Sequence, residues 1–218
     1  MFDIKISKEL KEISKNVTLG CVKAKVDIEK SDENLLKEIE RVINITKGID
    51  IDEINELLQI KEIRNVYKSL GKDPSRYRAS SESLLRRIIK DKGLYRINNI
   101  VDINNLLSIS SFYSVGTYDI DKLKPPIIFT YGKDKDTYDA IGKGNINIEN
   151  LPVFKDEIGY FGSPTSDSKR SMIKNETKNI LMMIISFGDE NVEKYLEYAK
   201  KLLVRYANAE DIEMKIVT

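Results

Sequence analysis

Residues 97–105 read Ile-Asn-Asn-Ile-Val-Asp-Ile-Asn-Asn and lie between two regions whose sequence patterns differ. Before them, apolar residues recur at helical spacing. After them, over residues 112–187, Gly and Pro interrupt short apolar segments, a pattern typical of strands and turns. A helical pattern returns from Asp189 to Tyr206, and residues 212–217 are predicted to form a strand. The sequence therefore predicts an α+β protein.

Upstream of this stretch, the alternation over residues 18–28 predicts a strand with one solvent-exposed face. Three helices should follow it, each with a polar residue at its start and a glycine at its end. Their predicted first and last residues are, in chain order, Asp32 and Gly48, Asp52 and Gly71, and Ser80 or Ser81 and Gly93.

Two absences exclude familiar chemistry. The chain has no histidine, so Ser-His and Cys-His nucleophile pairs and histidine-based zinc sites are ruled out. The single cysteine, Cys21, cannot form an internal disulfide and is predicted to be a half-buried small apolar residue. We expect no metal and no cofactor. Catalysis would have to use carboxylates, lysine, arginine, hydroxyls, backbone amides or the substrate itself.

The charges nearly balance, with 36 basic and 35 acidic residues among 218. They are unevenly placed, because residues 64–96 contain ten basic and three acidic residues, a net charge of +7. With interleaved tyrosines this segment can form a phosphate-contacting face, or its arginines can instead anchor loops to carboxylates elsewhere. The arginines singled out for RNA contact are Arg76, Arg78, Arg86 and Arg87. We expect no membrane span or signal peptide, and a cytoplasmic protein.

The stretch at 97–105 and five further segments carry a resemblance to a known family. The further segments are 72–78, 80–88, 93–96, Val-Gly-Thr-Tyr-Asp at 115–119 and Thr-Lys-Asn-Ile-Leu-Met at 177–182. Together they resemble the B3/B4 editing module of the phenylalanyl-tRNA synthetase beta subunit. The resemblance implies a three-layer β/β/α sandwich-like fold, in which the Asn-Asn string introduces a helix beside an amino-acid pocket. It covers residues 64–187 of a predicted single domain, with 1–63 and 188–218 as extensions packed on it.

The resemblance also implies substrate-binding residues. Asn99 and Asn105 belong to the pocket-side string, and Gly162 matches a glycine that lets the backbone approach a ligand. The family's pocket histidine falls on Gly116 and its pocket glutamate on Met183. Glycine and methionine at these positions would make the implied pocket larger and more apolar. We therefore expect the pocket to select only weakly for a tyrosine hydroxyl.

Residues 163–170, Ser-Pro-Thr-Ser-Asp-Ser-Lys-Arg, form a polar run between two predicted strands. Asp167 is a candidate to orient a water, and Arg170 to hold a carboxylate or phosphate, so both are predicted catalytic residues; a plain loop is the alternative.

The sequence leaves three functions open. The chain resembles a module that hydrolyses tyrosine wrongly attached to phenylalanine tRNA, which implies an amino-acid ligand, a tRNA or aminoacyl-tRNA partner and possible aminoacyl-tRNA deacylase activity. The alternatives are a non-catalytic protein that binds an amino acid or RNA, and a structural subunit for another protein.

Overall fold

The computed structural model describes residues 3–188 and 191–218. The helices are α1 (Lys8–Ile13), α2 (Glu33–Thr46), α3 (Leu58–Ser69), α4 (Ser80–Ile89), α5 (Asn99–Ser111) and α6 (Val192–Ala207). The strands are β1 (Ile4–Ile6), β2 (Thr18–Lys25), β3 (Ser114–Asp119), β4 (Ile127–Tyr131), β5 (Thr137–Ala140), β6 (Gly144–Asn147), β7 (Pro152–Lys155), β8 (Tyr160–Gly162), β9 (Asn179–Ser186) and β10 (Glu210–Val217). In the described part of the chain, no helix is long and apolar enough to cross a membrane.

Two four-stranded sheets form the centre of the fold. The first has the strand order β1-β4-β7-β8 and the second β10-β2-β9-β3, while β5 and β6 form a separate hairpin. Aromatic side chains such as Phe129, Phe154 and Phe161 fill the space between the two sheets. The apolar faces of α4, α5 and α6 cover the other face of the second sheet, and α2 packs on α4 and α5. The predicted α+β class and its β/β/α layering are confirmed.

Strand β9 explains the longest apolar run of the sequence. Its odd-numbered residues, such as Leu181 and Met183, face the inter-sheet core, and its even-numbered residues, such as Ile180 and Met182, face the helices. Because side chains alternate along a strand, a strand covered on both faces is apolar at every position.

The strand predicted at 18–28 is present as β2 (Thr18–Lys25), and its predicted exposed face is found only at its end, where Lys23 is half-buried and Lys25 is exposed. Leu19 and Cys21, on the same face, are completely buried, because the first sheet packs over them. Only the end of that face reaches solvent, where Lys23 pairs with Glu213 of β10 at 2.7 Å. Burial raises the pKa of the Cys21 thiol to about 12, so the thiol stays protonated near neutral pH. Cys21 therefore serves as a packing residue.

The predicted helix starts hold in part. The side chain of Asp32 caps α2 by accepting from the backbone N–H of Leu35 at 2.7 Å, as predicted. The helix expected from Asp52 is divided into a 3₁₀ turn, Glu53–Glu56, and α3, because Leu57 between them has extended backbone. The predicted last helix is α6, although its expected first residue, Asp189, lies outside the described residues.

The start of α4 departs from the prediction in a way that matters for the site. Its N-cap is Ala79, and neither Ser80 nor Ser81 caps the helix with its hydroxyl. Instead, the backbone N–H of Ser80 donates to the carbonyl of Pro164 at 2.7 Å. The Ser81 hydroxyl bonds that of Ser114 at 3.3 Å. The first turn of α4 is therefore attached to the polar run at 163–170.

The segments predicted as extensions are integral to the sheets. Residues before 64 supply β1 and β2, and residues after 187 supply α6 and β10. Strand β2 pairs with β9 over its whole length, so the second sheet contains an N-terminal strand at its centre.

Candidate functional site

A cavity of about 550 Å³ lies where α4 and α5 meet the edge strand β3. The β5–β6 turn and residues 165–173 form its remaining wall. Its polar lining consists of Ser80, Ser83, Arg87, Tyr95, Asn104, Asn105, Thr117, Lys143, Thr165 and Asp167. Its apolar lining consists of Leu84, Ile97, Val101, Val115, Ile141, Met172 and Ile173. An apolar concavity of this size with a few polar groups is typical of a small-ligand site. We call it the α4–α5 cavity.

Three tyrosine hydroxyls hold the 163–167 loop against the protein. Tyr67 bonds Thr165 at 2.7 Å, Tyr118 donates to Asp167 at 2.8 Å, and Tyr138 donates to Ser163 at 3.1 Å and to the carbonyl of Ser166. The rings of Tyr67, Tyr118 and Tyr138 are buried in the inter-sheet core. A buried phenol requires a hydrogen-bond partner, and here all three find it in one loop, which fixes the loop's position at the cavity wall.

Asp167 is the one carboxylate among the described residues that line the α4–α5 cavity. Burial raises its pKa to about 7, although the hydrogen bond from Tyr118 and the positive charge of Lys143 both act to lower it. Near neutral pH the carboxyl group therefore exists in both protonation states. Such a group can accept a proton from water and return it within one reaction.

The helix α5 contributes two neighbouring amides. The hydroxyl of Thr117 donates to Asn104 at 2.8 Å, which fixes the Asn104 side chain. The side chain of Asn105 has no hydrogen bond to another described residue, so its donors and its acceptor are available to a ligand. The structure thus places Asn105 in the wall of the α4–α5 cavity.

Arg87 lies at the mouth of the cavity in a fixed orientation. Its guanidinium donates to the carbonyls of Gly93 and Lys92 at 2.9 and 3.0 Å. It also donates to the Tyr95 hydroxyl at 3.1 Å and lies 4.1 Å from the centroid of that ring. Tyr95 remains 62% exposed, and so presents an aromatic surface beside the opening.

Asn99, predicted as a substrate-binding residue, lies outside this cavity. It is 3% exposed and joins three chain segments. Its amide donates to the carbonyls of Asp27 and Tyr206, each at 2.9 Å, and its oxygen accepts from the N–H of Glu29 at 3.1 Å. These bonds use the whole side chain, so Asn99 fixes the start of α5 and offers nothing to a ligand.

Gly116, Gly162 and Met183 also lie away from the cavity, which corrects the predicted pocket wall. Because side chains alternate along β3, Thr117 faces the cavity and Gly116 faces the inter-sheet core. A Cβ atom at Gly116 or at Gly162 would collide with the side chain of Tyr118. Met183 pairs with Gly116 in the sheet and is completely buried in the same core. The two glycines make room for a tyrosine of this chain.

Arg170 does not join Asp167, contrary to the prediction of a shared catalytic site. Its guanidinium holds both carboxylate oxygens of Asp156 at 3.0 and 2.9 Å and donates to the carbonyls of Lys122 and Gly159. Burial acts to raise the pKa of Asp156, but the bonds from Arg170 and from the N–H groups of Lys124 and Gly159 outweigh it and lower the pKa. Arg170 therefore anchors the turn between β7 and β8.

Two of the predicted RNA-contacting arginines, Arg78 and Arg86, converge instead on one buried carboxylate, Glu82. The Glu82 side chain is fully buried and pairs with Arg86 at 2.8 Å, with Arg64 at 3.0 Å and with Arg78 at 3.6 Å. Much of the +7 segment thus serves internal anchoring, which was the alternative interpretation of its charge. Arg76 is exposed, and its side chain makes no ion pair or hydrogen bond with a described residue.

The sequence interpretation missed the tyrosines that fix Asp167. Tyr67, Tyr118 and Tyr138 occupy positions where the apolar pattern alone would accept phenylalanine. A tyrosine at a predicted core position indicates that its hydroxyl has a buried polar partner. The sequence therefore did contain a sign of these contacts. Lys143, which lines the cavity from the β5–β6 turn, had no pattern to mark it.

A second cavity, of about 580 Å³, lies beside the connection from β2 to α2. Ser31, Arg96, Asp102 and Asn175 are among its lining residues. Asp102 is only 1% exposed and one of its oxygens accepts from Ser31 at 2.7 Å. Since none of the predicted site residues lines this cavity, the α4–α5 cavity is the better candidate site.

The part of the chain that forms the α4–α5 cavity is similar to known proteins. A family model described as the B3/4 domain matches residues 62–210. The chain belongs to the B3/4 domain family. The matched segment of this B3/4 domain contains every residue that lines the α4–α5 cavity, and it extends beyond the predicted 64–187 through α6 to the start of β10.

The B3/4 domain is similar to part of a tRNA ligase subunit. It is 32% identical over 117 residues to the phenylalanine–tRNA ligase beta subunit of Fusobacterium nucleatum subsp. nucleatum, a match that covers 52% of this chain and 14% of that protein. The chain therefore spans a small part of this relative's length. A solved N-terminal fragment of the phenylalanyl-tRNA synthetase beta-subunit from Pyrococcus horikoshii matches 98% of this chain and 50% of its own, with 15% identity and a TM-score of 0.45.

Proposed function

We propose that this B3/4 domain binds the aminoacyl group of an aminoacyl-tRNA in the α4–α5 cavity and hydrolyses its ester. The observation that carries the proposal is Asp167, a carboxylate with a pKa of about 7 held at the wall of an amino-acid-sized cavity. The similarity to a beta subunit of phenylalanine–tRNA ligase supports tRNA as the carrier of the aminoacyl group.

The proposed hydrolysis uses Asp167 as a general base. The ionised carboxylate accepts a proton from water while the water oxygen attacks the ester carbonyl carbon. The bond from that carbon to the ribose oxygen then breaks, and Asp167 returns the proton to the ribose oxygen. The products are a free amino acid and a tRNA with an unmodified terminal hydroxyl, so Asp167 ends each cycle ionised.

Two further groups in the cavity suit the developing negative charge on the carbonyl oxygen. The amide of Asn105 has unused donors, and the ammonium of Lys143 lies close enough to Asp167 to influence its pKa. Donors fixed at the position where charge develops lower the barrier, because they need no rearrangement during the reaction.

The direct test is to incubate the purified chain with a panel of correctly and wrongly charged tRNAs and to follow loss of the ester. We expect at least one aminoacyl-tRNA to be deacylated faster than its spontaneous rate. If none of the panel loses its amino acid faster than in buffer, hydrolysis is excluded for the amino acids tested.

A non-catalytic amino-acid binder is the second candidate. Arg87 and Lys143 both line the cavity, and two cations are suited to the carboxylate of a free amino acid. An aminoacyl ester has lost that carboxylate. Tighter binding of free amino acids than of their esters, with no ester loss in the panel, would favour this candidate over hydrolysis.

The Tyr118 hydroxyl should set the pH at which the hydrolysis begins. Replacing Tyr118 by phenylalanine removes a hydrogen bond that favours ionised Asp167, so the pKa of Asp167 should rise. Because the base must be ionised, activity rises with pH through this pKa. We expect the rising limb of the kcat/KM profile to move to higher pH by about one unit.

Tyr67→Phe is the matched control for this change. It removes another buried hydroxyl from the same loop, but one that bonds Thr165 rather than Asp167. Both variants should lose some stability, whereas only Tyr118→Phe should move the pH limb. Identical pH profiles for the two variants would rule out Asp167 as the titrating base.

A further inference from the structure

A smaller cavity, of about 300 Å³, adjoins the α4–α5 cavity. Lys143 and Thr165 line both cavities and therefore form the wall between them. The smaller cavity is also lined by Arg76 and Tyr77, which follow α3, by Ile146 and Asn147 of β6, and by Leu151 and Ser166. A single ligand that extends past Lys143 would reach both cavities.

The charged side chains that line the smaller cavity are all positive. Arg76 and Lys143 line it, and no aspartate or glutamate does so among the described residues. The ammonium of Lys72 lies 4.5 Å from the centroid of the Tyr77 ring and donates to Asn147 at 3.4 Å, which places a third cation beside the cavity. None of these three cations has a salt bridge to a described residue.

This arrangement contrasts with that of three arginines in the +7 segment. Arg64 and Arg86 pair with the buried Glu82, and Arg96 pairs with Glu40 at 2.9 Å. These three arginines have carboxylate partners, whereas the cations around the smaller cavity do not. An unpaired arginine presents a planar fork of donors that matches phosphate, and lysine adds a mobile positive charge.

We propose that the smaller cavity binds a phosphate group, and that this phosphate belongs to the nucleotide whose aminoacyl end occupies the α4–α5 cavity. The second part rests on the proposed function, because that function places the aminoacyl end. The first part stands alone, since phosphate binding requires only Arg76, Lys143 and Lys72. Free phosphate and a nucleotide phosphate share this chemistry, and the shared wall between the cavities favours the nucleotide.

The test is a titration of the full chain at low salt with three probes: inorganic phosphate, adenosine 5′-monophosphate and adenosine. Binding is followed by amide NMR shifts or by calorimetry. We expect the monophosphate to bind at least about tenfold more tightly than adenosine, and more tightly than inorganic phosphate. Equal affinity for the monophosphate and adenosine would overturn the phosphate site. Equal affinity for inorganic phosphate and the monophosphate would overturn its assignment to a nucleotide.

Arg76→Ala supplies the second arm, because its exposed side chain has no partner whose loss would threaten folding. We expect it to weaken monophosphate binding by about tenfold and to leave adenosine binding unchanged. The matched control is Arg205→Ala, which removes the same charge from α6 on the helical face of the second sheet. If both variants weaken monophosphate binding equally, the effect is one of net charge and the site is refuted.

These results are separable from the proposed hydrolysis. Phosphate binding that depends on Arg76, combined with no ester loss in the tRNA panel, would support the phosphate site and contradict the enzyme. Ester loss that is insensitive to Arg76→Ala, combined with no preference for the monophosphate, would support the enzyme and contradict the phosphate site.

Discussion

Replacing Asp167 by asparagine is expected to slow ester hydrolysis about a hundredfold or more, the range that a positioned general base supplies. The amide of asparagine has nearly the shape of the carboxyl group and can still accept the hydrogen bond from Tyr118. It cannot accept a proton from water. The loop and the cavity should therefore persist while the chemistry is lost, and substrate binding should change much less than the rate.

Asp139→Asn is the matched control for this experiment. Asp139 lies on β5, next to the cavity wall, and its side chain is 58% exposed and paired with Lys169 at 3.1 Å. Its replacement should leave single-turnover hydrolysis of a susceptible aminoacyl-tRNA unchanged. If Asp167→Asn is as active as Asp139→Asn, the reaction depends on the substrate and the backbone alone.

The second large effect concerns stability. Glu82→Ala is expected to lower the free energy of unfolding by about 3 kcal/mol, because it leaves the largely buried guanidinium groups of Arg64 and Arg86 without their carboxylate. These groups are 16% and 21% exposed, and this remaining contact with water keeps the cost at the lower end of the range for a broken buried pair. Urea denaturation followed by circular dichroism measures it.

Glu33→Ala provides the comparison. Glu33 also lies in the first turn of a helix and pairs with a basic residue, Lys37, but its side chain is 88% exposed. Exposed pairs of this kind contribute about 0.5 kcal/mol or less. Equal destabilisation by Glu33→Ala and Glu82→Ala would contradict the assignment of the basic segment to internal anchoring.

The layers of this fold could be predicted because its apolar pattern is periodic. The stripe after Asp32 has helical spacing, and the run that forms β9 is apolar on both faces because both faces are covered. The prediction was wrong where tertiary contacts decide whether a side chain is buried. Strand β2 alternates like a strand with one solvent-exposed face, yet Leu19 and Cys21 on that face are buried by the first sheet, which sequence spacing cannot show.

The candidate site could also be predicted only in part, because tertiary contacts decide where several of its side chains lie. Asn105 was named from the resemblance and Asp167 from the polar run at 163–170, and the structure places both in one cavity. Arg170 follows Asp167 closely in sequence, but the 3₁₀ turn Lys169–Ser171 directs it to Asp156 instead. The resemblance placed Gly116 in a pocket wall, whereas its space is filled by Tyr118 of the same strand, whose ring also packs on Gly162 of β8 in the first sheet.

The α4–α5 cavity is proposed to hold the aminoacyl group. The decisive measurement is amide NMR mapping with an adenosine that carries a phenylalanyl or tyrosyl group through a stable 3′-amide bond. We predict that the largest shift changes occur at Asn105, Thr117 and Asp167. Changes centred instead on Ser31, Asp102 and Asn175, which line the cavity beside α2, would contradict the central claim.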